Sequence, residues 1–291
     1  MTVQGKDQAN GLRERFGAGR ALRVVGVTSG KGGVGKSSFT ANLAATAARA
    51  GRRVLIVDAD LGLANVELLF GLRPRLHVGH VLDGTAEVRD VLAQGPEGIR
   101  VLPAGCGLRA LTSLDDVQKL RLVAALDELE DAFDVVLVDT GAGIGDNVTF
   151  FIGGVQEALL VVTPEPTALT DAYATVKVLS QGGSLRQFAV AVNMATAEAG
   201  KDTFDRLCAV TGRFLQARLR YVGHVPRDEN VHRAVMAQRP LVQLYPHSPA
   251  SGALRSIAAS LLNGPAPAQV GGGLKFLWSR LLRQGAMAAA G

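Results

Sequence analysis

The segment that decides the fold is SGKGGVGKSS, residues 29–38. It joins the apolar run 22–29 to a stretch with helical spacing, and it contains G-x-x-x-x-G-K-S, the phosphate-binding loop (P-loop). Glycines let the backbone point its amides at phosphate oxygens, next to the positive end of the following helix. Lys36 is expected to contact β- and γ-phosphates and Ser37 to bind Mg²⁺. The predicted phosphate-binding residues are Gly30, Lys31, Gly32, Gly33, Val34, Gly35, Lys36, Ser37 and Ser38.

Short apolar runs alternate with longer helical segments along the rest of the chain. The runs are almost continuously hydrophobic, which is typical of parallel strands covered on both faces. The predicted strands are 22–29, 53–60, 99–105, 133–140, 157–165, 188–195 and 219–226, and the predicted helices are 36–51, 113–131, 169–182, 201–217, 228–238 and 249–262. The alternation predicts an α/β fold over residues 22–263, with a doubly wound, mostly parallel sheet flanked by helices and ligands at the carboxyl ends of the strands.

Composition and charge limit the classes of function. A chain of 291 residues, 47% hydrophobic, is long enough for a large α/β core. Residues 1–23 and 271–291 each carry a net charge of +3, which leaves −1 for residues 24–270 and gives no support for a nucleic-acid partner. No apolar run reaches the roughly 18 residues of a membrane span, and no secretory signal is present. Two distant cysteines favour a reducing compartment, so a cytoplasmic location is expected.

Aspartates close two of the predicted strands. Asp139 follows four apolar residues in VVLVD, the Walker B arrangement, in which a carboxylate holds Mg²⁺ through water. The glycines after it suit a switch segment that moves when the γ-phosphate leaves. Asp58 and Asp60 end the second strand in VDAD. For Asp58 two interpretations stay open, a direct part in the site or a structural role that caps and braces the loop.

Lys31 is an extra lysine, because a P-loop needs only Lys36. The pattern K-G-G-x-G-K-S resembles the deviant Walker A motif of the MinD/ParA group of ATPases. This resemblance implies a MinD-like P-loop fold that binds ATP and Mg²⁺, and a homodimer in which Lys31 reaches the partner's nucleotide. It also implies that Asp60 lies in switch I and orients the attacking water. The implied catalytic residues are Lys31, Lys36 and Asp60, and the implied Mg²⁺ residues are Ser37, Asp60 and Asp139. The alternative for Lys31 is a solvated loop lysine.

The same resemblance suggests how the base is bound. It points to Asn193 and to Pro226, Arg227 and Asp228, because an amide offers both a donor and an acceptor to the adenine edge. No N-K-x-D-like guanine signature occurs at that strand, which favours ATP over GTP. A turn residue at the end of a strand is the alternative for Asn193.

The C-terminal residues predict a linker (264–273), an amphipathic helix (274–284) and a disordered tail (285–291). Leucines and the tryptophan of the helix fall on one face, and Lys275, Arg280 and Arg283 lie outside it, as in helices that bind a membrane interface. The residues expected to contact the membrane are Leu274, Phe276, Leu277, Trp278, Leu281 and Leu282. The alternative is a helix that docks on its own domain.

Residues 1–21 precede the first strand and contain D-Q-A-x-x-L-R. With DTGAGIGDN and VNM downstream, this heptad resembles the FlhG branch of the family, also called FleN or YlxH. The resemblance implies a flexible activator peptide that stimulates FlhF, a signal-recognition-particle-type GTPase, with Gln8 orienting the partner's attacking water. The implied contact residues are Asp7, Gln8, Ala9, Leu12 and Arg13. A leader without function is the alternative.

The chain lacks the signatures of other branches of the family. Cys106 and Cys208 fit neither a cluster shared between subunits nor a C-x-x-C scaffold, and both are expected to be buried. The FlhG resemblance implies an ATP-dependent switch for flagellar number and placement, cytoplasmic and reversibly attached to the inner face of the membrane. Flagellar switch proteins and a transcription factor stay open as further partners. The alternatives are a ParA-like partitioning ATPase that binds DNA non-specifically, a MinD-type division-site regulator, and a protein that binds ATP without turnover.

Overall fold

The structure, a computed structural model, describes residues 22–61, 65–105, 113–181 and 185–263. One sheet lies at its centre, with the strands in the order β3-β4-β2-β5-β1-β6-β7-β8. Neighbouring strands are parallel, except that β3 is antiparallel to β4. The strands are β1 (Arg23–Thr28), β2 (Val54–Ala59), β3 (Ala93–Gln94), β4 (Arg100–Leu102), β5 (Val135–Thr140), β6 (Glu157–Val162), β7 (Gln187–Asn193) and β8 (Arg218–Val225). The predicted doubly wound α/β fold is therefore confirmed.

Helices cover both faces of this sheet. They are α1 (Lys36–Arg49), α2 (Val66–Leu69), α3 (Val78–Leu82), α4 (Val88–Val91), α5 (Asp116–Asp127), α6 (Asp146–Gly153), α7 (Pro166–Gln181), α8 (Ala197–Phe214), α9 (Glu229–Met236), α10 (Leu241–Leu244) and α11 (Pro249–Leu262). One apolar cluster joins α5, α6 and α7 to the sheet through Leu122, Phe151 and Val176. A second joins α1 and α11 to the other face through Phe39 and Ile257. The central strands are buried along their whole length, which explains their continuous hydrophobicity.

Strand β1 has a central position that determines where the site forms. Val25 pairs with Leu137 of β5 on one side and with Glu157 of β6 on the other. Strand β2 pairs with β5 in a register that sets Asp58 opposite Asp139. Because these strands are parallel, their carboxyl ends meet at one edge of the sheet, where β1 leads into the P-loop.

Predicted and observed elements differ mainly in the short segments. The sequence analysis did not predict α2, α3, α4, α10 or β3, each of five residues or fewer, because so short a segment shows no clear apolar period. It also missed α6, whose start follows a glycine-rich loop. Helix α8 begins at Ala197, before its predicted start, because the hydroxyl of Thr196 accepts a hydrogen bond from the amide of Ala199 (3.2 Å) and caps the helix.

Several predicted features lie outside the described residues: the N-terminal peptide (1–21), the linker (264–273), the amphipathic helix (274–284), the tail (285–291) and Cys106. Among the residues that are described, no helix has the length and apolar character to cross a membrane. Cys208 lies on α8, as expected, but it is half-buried and has a free thiol, so the expectation of full burial was wrong. Partial burial raises the pKa of this thiol.

Candidate nucleotide-binding site

The P-loop needs its glycines for two different physical reasons. Gly33 and Gly35 have φ angles of 77° and 99°, a left-handed conformation that other residues rarely adopt. Gly30 instead packs directly on α7, where a Cβ atom would lie 2.3 Å from the backbone carbonyl of Asp171. The backbone between β1 and α1 is therefore fixed by conformation at one end and by close packing at the other.

Lys36 opens α1 and is buried, with 8% of the residue exposed. Burial lowers the pKa of its ammonium group, while the carboxylates of Asp139 and Asp60 raise it. These opposing effects show that Lys36 lies close to both acids at the carboxyl edge of the sheet. A cation in this position suits the phosphates of a bound nucleotide.

Asp139 is the last residue but one of the predicted Walker B strand β5 and is fully buried. Its Oδ1 accepts a hydrogen bond from the hydroxyl of Thr40 (2.8 Å), and the hydroxyl of Ser37 also donates to it. Burial raises the pKa of Asp139 to about 6, against the opposing effect of these two hydrogen bonds. Thr40 was missed by the sequence analysis. Its position one helical turn after Lys36 is the signal that places it on the same face of α1.

Oxygen ligands for Mg²⁺ are present in this cluster. The Oδ2 atom of Asp139 is buried without a hydrogen-bond partner, next to the hydroxyl of Ser37. Within the described ranges, no group of three or more His, Cys, Asp or Glu side chains is arranged to hold a metal ion. Mg²⁺ characteristically takes one or two protein oxygens and completes its shell with water and substrate phosphates. The residues present therefore fit a Mg²⁺ ion that arrives with a nucleotide.

The two aspartates at the carboxyl end of β2, Asp58 within the strand and Asp60 just after it, have separate environments. Asp58 is buried and accepts hydrogen bonds from the amides of Asp60 (3.1 Å), Asn65 (3.2 Å) and Val66 (3.2 Å). Burial, followed by the charges of Asp139 and Glu67, raises the pKa of Asp58 well above its usual value. Of the two interpretations left open for Asp58, these contacts favour the structural one, since they brace the loop and the start of α2.

Asp60, by contrast, is half-buried and lies where the loop after β2 meets the loop after β5. A Cβ atom on Gly141, just after β5, would lie 3.4 Å from Oδ1 of Asp60. The side-chain amide of Asn65 donates to Oδ2 of Asp60 at 3.4 Å. The predicted switch I aspartate therefore contacts the start of the predicted switch II segment, close to Lys36 and Asp139.

Lys31 occupies the outer part of the loop. Its Nζ atom lies 2.7 Å from the carboxylate of Glu165 and 3.3 Å from the hydroxyl of Thr167. The hydroxyl of Ser29 donates to the carbonyl oxygen of Lys31 at 2.7 Å and fixes the backbone beneath it. The two lysines of the P-loop thus point to different surroundings, Lys36 into the buried acidic cluster and Lys31 to the surface.

The residues predicted to bind the base come together at the ends of β7 and β8, where Asn193 pairs with Val225. The Asn193 side chain donates to the carbonyl oxygen of Val34 (2.8 Å) and so braces the P-loop, a contact that the sequence did not reveal. Asp228 caps α9 by accepting from the amide of Asn230 (2.9 Å), and it also accepts from the amide of Ala250 (3.3 Å). Pro226 and Arg227 join these two positions. Base recognition by this group stays a prediction.

Known proteins of one family are similar to this chain. Residues 25–241 match the CobQ/CobB/MinD/ParA nucleotide binding domain. The antiactivator FleN of Pseudomonas aeruginosa is 43% identical over 95% of this chain and 99% of its own length. The flagellum site-determining protein YlxH of Helicobacter pylori is 31% identical over 90% of both chains.

Solved structures give the same result. The cell division ATPase MinD of Pyrococcus furiosus matches with a TM-score of 0.69 and 28% identity, covering 83% of this chain and 98% of that one. MinD of Pyrococcus horikoshii, complexed with Mg-ADP, matches with a TM-score of 0.70 and 25% identity over 85% of this chain and all of that one. The resemblance drawn from the P-loop and the N-terminal heptad is therefore confirmed. The chain belongs to the CobQ/CobB/MinD/ParA family of nucleotide-binding domains and, within it, to the FleN/YlxH branch.

Proposed function

We propose that the protein is an ATP-hydrolysing switch that dimerises around ATP and regulates flagellar number and placement. The observation that carries the proposal is the contrast between the two lysines of the P-loop. Lys36 is buried beside Asp139, whereas the side chain of Lys31 is 41% exposed at the mouth of the site. A buried lysine serves the phosphates of its own subunit. An exposed one is able to reach the nucleotide of a second copy.

Each residue of the site has a distinct part in this reaction. The loop amides and Lys36 hold the phosphates, and Ser37 and Asp139 hold Mg²⁺, which when bound offsets negative charge on the phosphate oxygens. Asp60 positions a water for attack on the γ-phosphorus. The new bond joins this water oxygen to phosphorus, and the bond from phosphorus to the departing ADP oxygen breaks with its electron pair staying on ADP. The phosphate product keeps one proton of the water, and the other is released to solvent. Lys31 of the second copy stabilises the charge that develops between them.

The flagellar role rests on two relatives, the antiactivator FleN and the flagellum site-determining protein YlxH. In this proposal, residues 7–13 bind a GTPase of the FlhF type and stimulate its hydrolysis, with the Gln8 amide orienting the attacking water in the partner's site. Residues 274–284 attach the ATP-bound dimer to the inner face of the cell membrane, because two weak anchors bind far better than one. Hydrolysis then returns the protein to the cytoplasm.

The test of the dimer is the mass of the protein in Mg-ATP, measured by sedimentation velocity. Asp60→Ala slows hydrolysis and is expected to accumulate as a dimer. Adding Lys31→Ala should return that variant to a monomer that still binds ATP. Lys177→Ala, which removes an exposed lysine on α7, is the matched control and should leave the dimer intact. A dimer that persists in Asp60→Ala/Lys31→Ala contradicts the proposal.

The test of GTPase activation uses a synthetic peptide of residues 1–23 and FlhF purified from the same organism. The native peptide should accelerate GTP hydrolysis, and a Gln8→Ala peptide should not. Equal rates with either peptide would remove the activator role and leave the dimerising ATPase untouched, since the two experiments share no residue.

A further inference from the structure

A cavity of about 620 Å³ lies at the edge of the sheet opposite the P-loop. It is bounded by the end of α1, the start of β2, helix α4 and the turn before β4. Val54 and Arg100, which line it, are the first residues of their strands. Because the strands are parallel, this cavity opens at their amino ends and a nucleotide in the P-loop does not reach it.

The lining of the cavity is strongly basic. It contains four arginines and one acid, Glu97. The four are Arg52, Arg53, Arg89 and Arg100. Of these four arginines, only Arg53 forms an ion pair with another described residue, Asp134, at 2.8 Å. A body that is close to neutral overall therefore concentrates positive charge around one cavity.

Uncharged acceptors hold two of these arginines in place. Arg89 donates to the carbonyl oxygen of Glu128 (3.2 Å). Arg52 donates to the side-chain oxygen of Asn263 (3.0 Å) and to the carbonyl oxygen of Leu262 (3.5 Å). These contacts fix the guanidinium groups without an ion pair, although the charge of Arg52 also lowers the pKa of Asp134. Fixed guanidinium forks match the geometry of phosphate oxygens.

We propose that this cavity binds the phosphate headgroups of anionic lipids. The inference rests on the proposed membrane attachment, and Arg52 connects the two. Arg52 contacts residues 262 and 263, at which the chain leaves α11 for the C-terminal segment. The predicted linker 264–273 spans at most about 35 Å when fully extended, so the proposed anchor begins within that distance of the end of α11. Residues 274–284 carry a net charge of +3, which suits the same anionic surface.

The first test measures binding of the full chain, in Mg-ATP, to sedimented vesicles. One set is pure phosphatidylcholine, and the other contains about one third phosphatidylglycerol. Arg89→Gln/Arg100→Gln removes two charges at exposed positions of each subunit and should lower the partition coefficient on anionic vesicles by at least roughly tenfold, since each charge near the surface contributes about 1 kcal/mol. Binding to neutral vesicles should not change. Unaltered melting temperature of the variant checks that the fold is intact.

Two further variants separate the possible failures. Arg206→Gln/Arg213→Gln makes the same charge change on α8 and should keep wild-type binding; an equal loss there would mean a general charge effect and overturn the inference. Trp278→Ala/Leu281→Ala tests the anchor itself. If it abolishes binding while Arg89→Gln/Arg100→Gln binds like the wild type, membrane attachment holds and the cavity inference fails. A wild-type chain that binds neither vesicle overturns both.

A soluble ligand is distinguished by a second measurement. With the P-loop filled by Mg-ADP, inorganic pyrophosphate is added and the melting temperature recorded. No stabilisation is expected, because the headgroup phosphates are presented by a surface. Pyrophosphate that stabilises the wild type but not Arg89→Gln/Arg100→Gln would assign the cavity to a soluble phosphate compound and overturn the lipid assignment.

Discussion

The ammonium group of Lys31 is held by the carboxylate of Glu165, 2.7 Å away in the segment just before α7. The hydrogen bond from Lys31 is the largest of the causes that lower the pKa of Glu165. This ion pair thus holds the Lys31 side chain within its own subunit, whereas the proposed dimer needs Lys31 to reach across the interface. Lys31 must leave Glu165 before it reaches a second nucleotide.

Replacing Glu165 should therefore strengthen the ATP-dependent dimer. Both side chains of the pair are exposed, so water screens the pair and each pair stabilises the monomer only weakly, but two pairs break for every dimer. Glu165→Gln in the Asp60→Ala background should tighten dimerisation from a few-fold to about tenfold, measured by sedimentation equilibrium. Glu198→Gln on α8 is the control and should have no effect. Weaker dimerisation would show that Glu165 itself contributes to the interface.

Two glycines of the same loop should differ strongly in how much an added methyl group destabilises the protein. A Cβ atom at Gly30 would meet the backbone of Asp171 at 2.3 Å, whereas one at Gly32 has no atom within 4 Å. Gly30→Ala should lower the free energy of unfolding by about 2 kcal/mol or more, and Gly32→Ala by less than about 0.5 kcal/mol. Urea unfolding without nucleotide measures both. Equal stabilities would mean that the contact with α7 yields at little cost.

The sequence predicted the central strands β1, β2, β5 and β6 because each is buried on both faces and is therefore largely apolar. Strand β8 is only partly buried. The sequence predicted Lys36 from the glycine-rich loop before it and Asp139 from the apolar strand before it, because both signals are local in the sequence. The bracing contact from Asn193 to Val34 joins residues 159 positions apart, and no local pattern encodes such a pairing.

The partner of Lys31 was unpredictable for the same reason, since Glu165 is 134 residues away. The basic cavity shows the limit most clearly. Its arginines come from the turn between α1 and β2, from α4 and from the start of β4. They meet only because β4 pairs with β2 at the side of the sheet. The summed charge of residues 24–270 is close to zero, but folding brings four of their arginines together at one cavity.

Glu157 at the start of β6 should be essential for stability. It is buried and accepts from Arg23 at 2.9 Å and from Arg220 at 2.8 Å. Glu157→Gln leaves the buried guanidinium of Arg23 without its carboxylate, which should cost about 3 kcal/mol of unfolding free energy. Glu229→Gln removes an exposed pair with Arg233 (3.4 Å) and should cost less than about 0.5 kcal/mol. Similar losses in both variants would contradict a special role for the buried pair.

Asp139 should make the nucleotide-free protein less stable at neutral pH. Burial raises the pKa of its carboxyl group to about 6, above the usual value of 3.8. The folded state therefore binds a proton that the unfolded state has already lost, and stability rises as the pH falls through 6 toward 4. Mg²⁺ and nucleotide have the opposite preference, because they require the deprotonated carboxylate.

Asp139→Asn removes this charge and keeps a side-chain oxygen that accepts the hydrogen bond from the Thr40 hydroxyl. Without nucleotide the variant should unfold at higher urea than the wild type at about pH 7.5, and the difference should shrink toward about pH 5.

Asp134→Asn is the control of opposite sign. The hydrogen bond from Arg53 lowers the pKa of Asp134, so this variant should be less stable than the wild type near neutral pH and approach it as the pH falls. With Mg-ATP present the order for Asp139→Asn should reverse, since only the wild type gains stability from the bound metal. A wild type that exceeds Asp139→Asn in stability at neutral pH without nucleotide would mean that the buried carboxylate is stabilised by its hydrogen bonds after all.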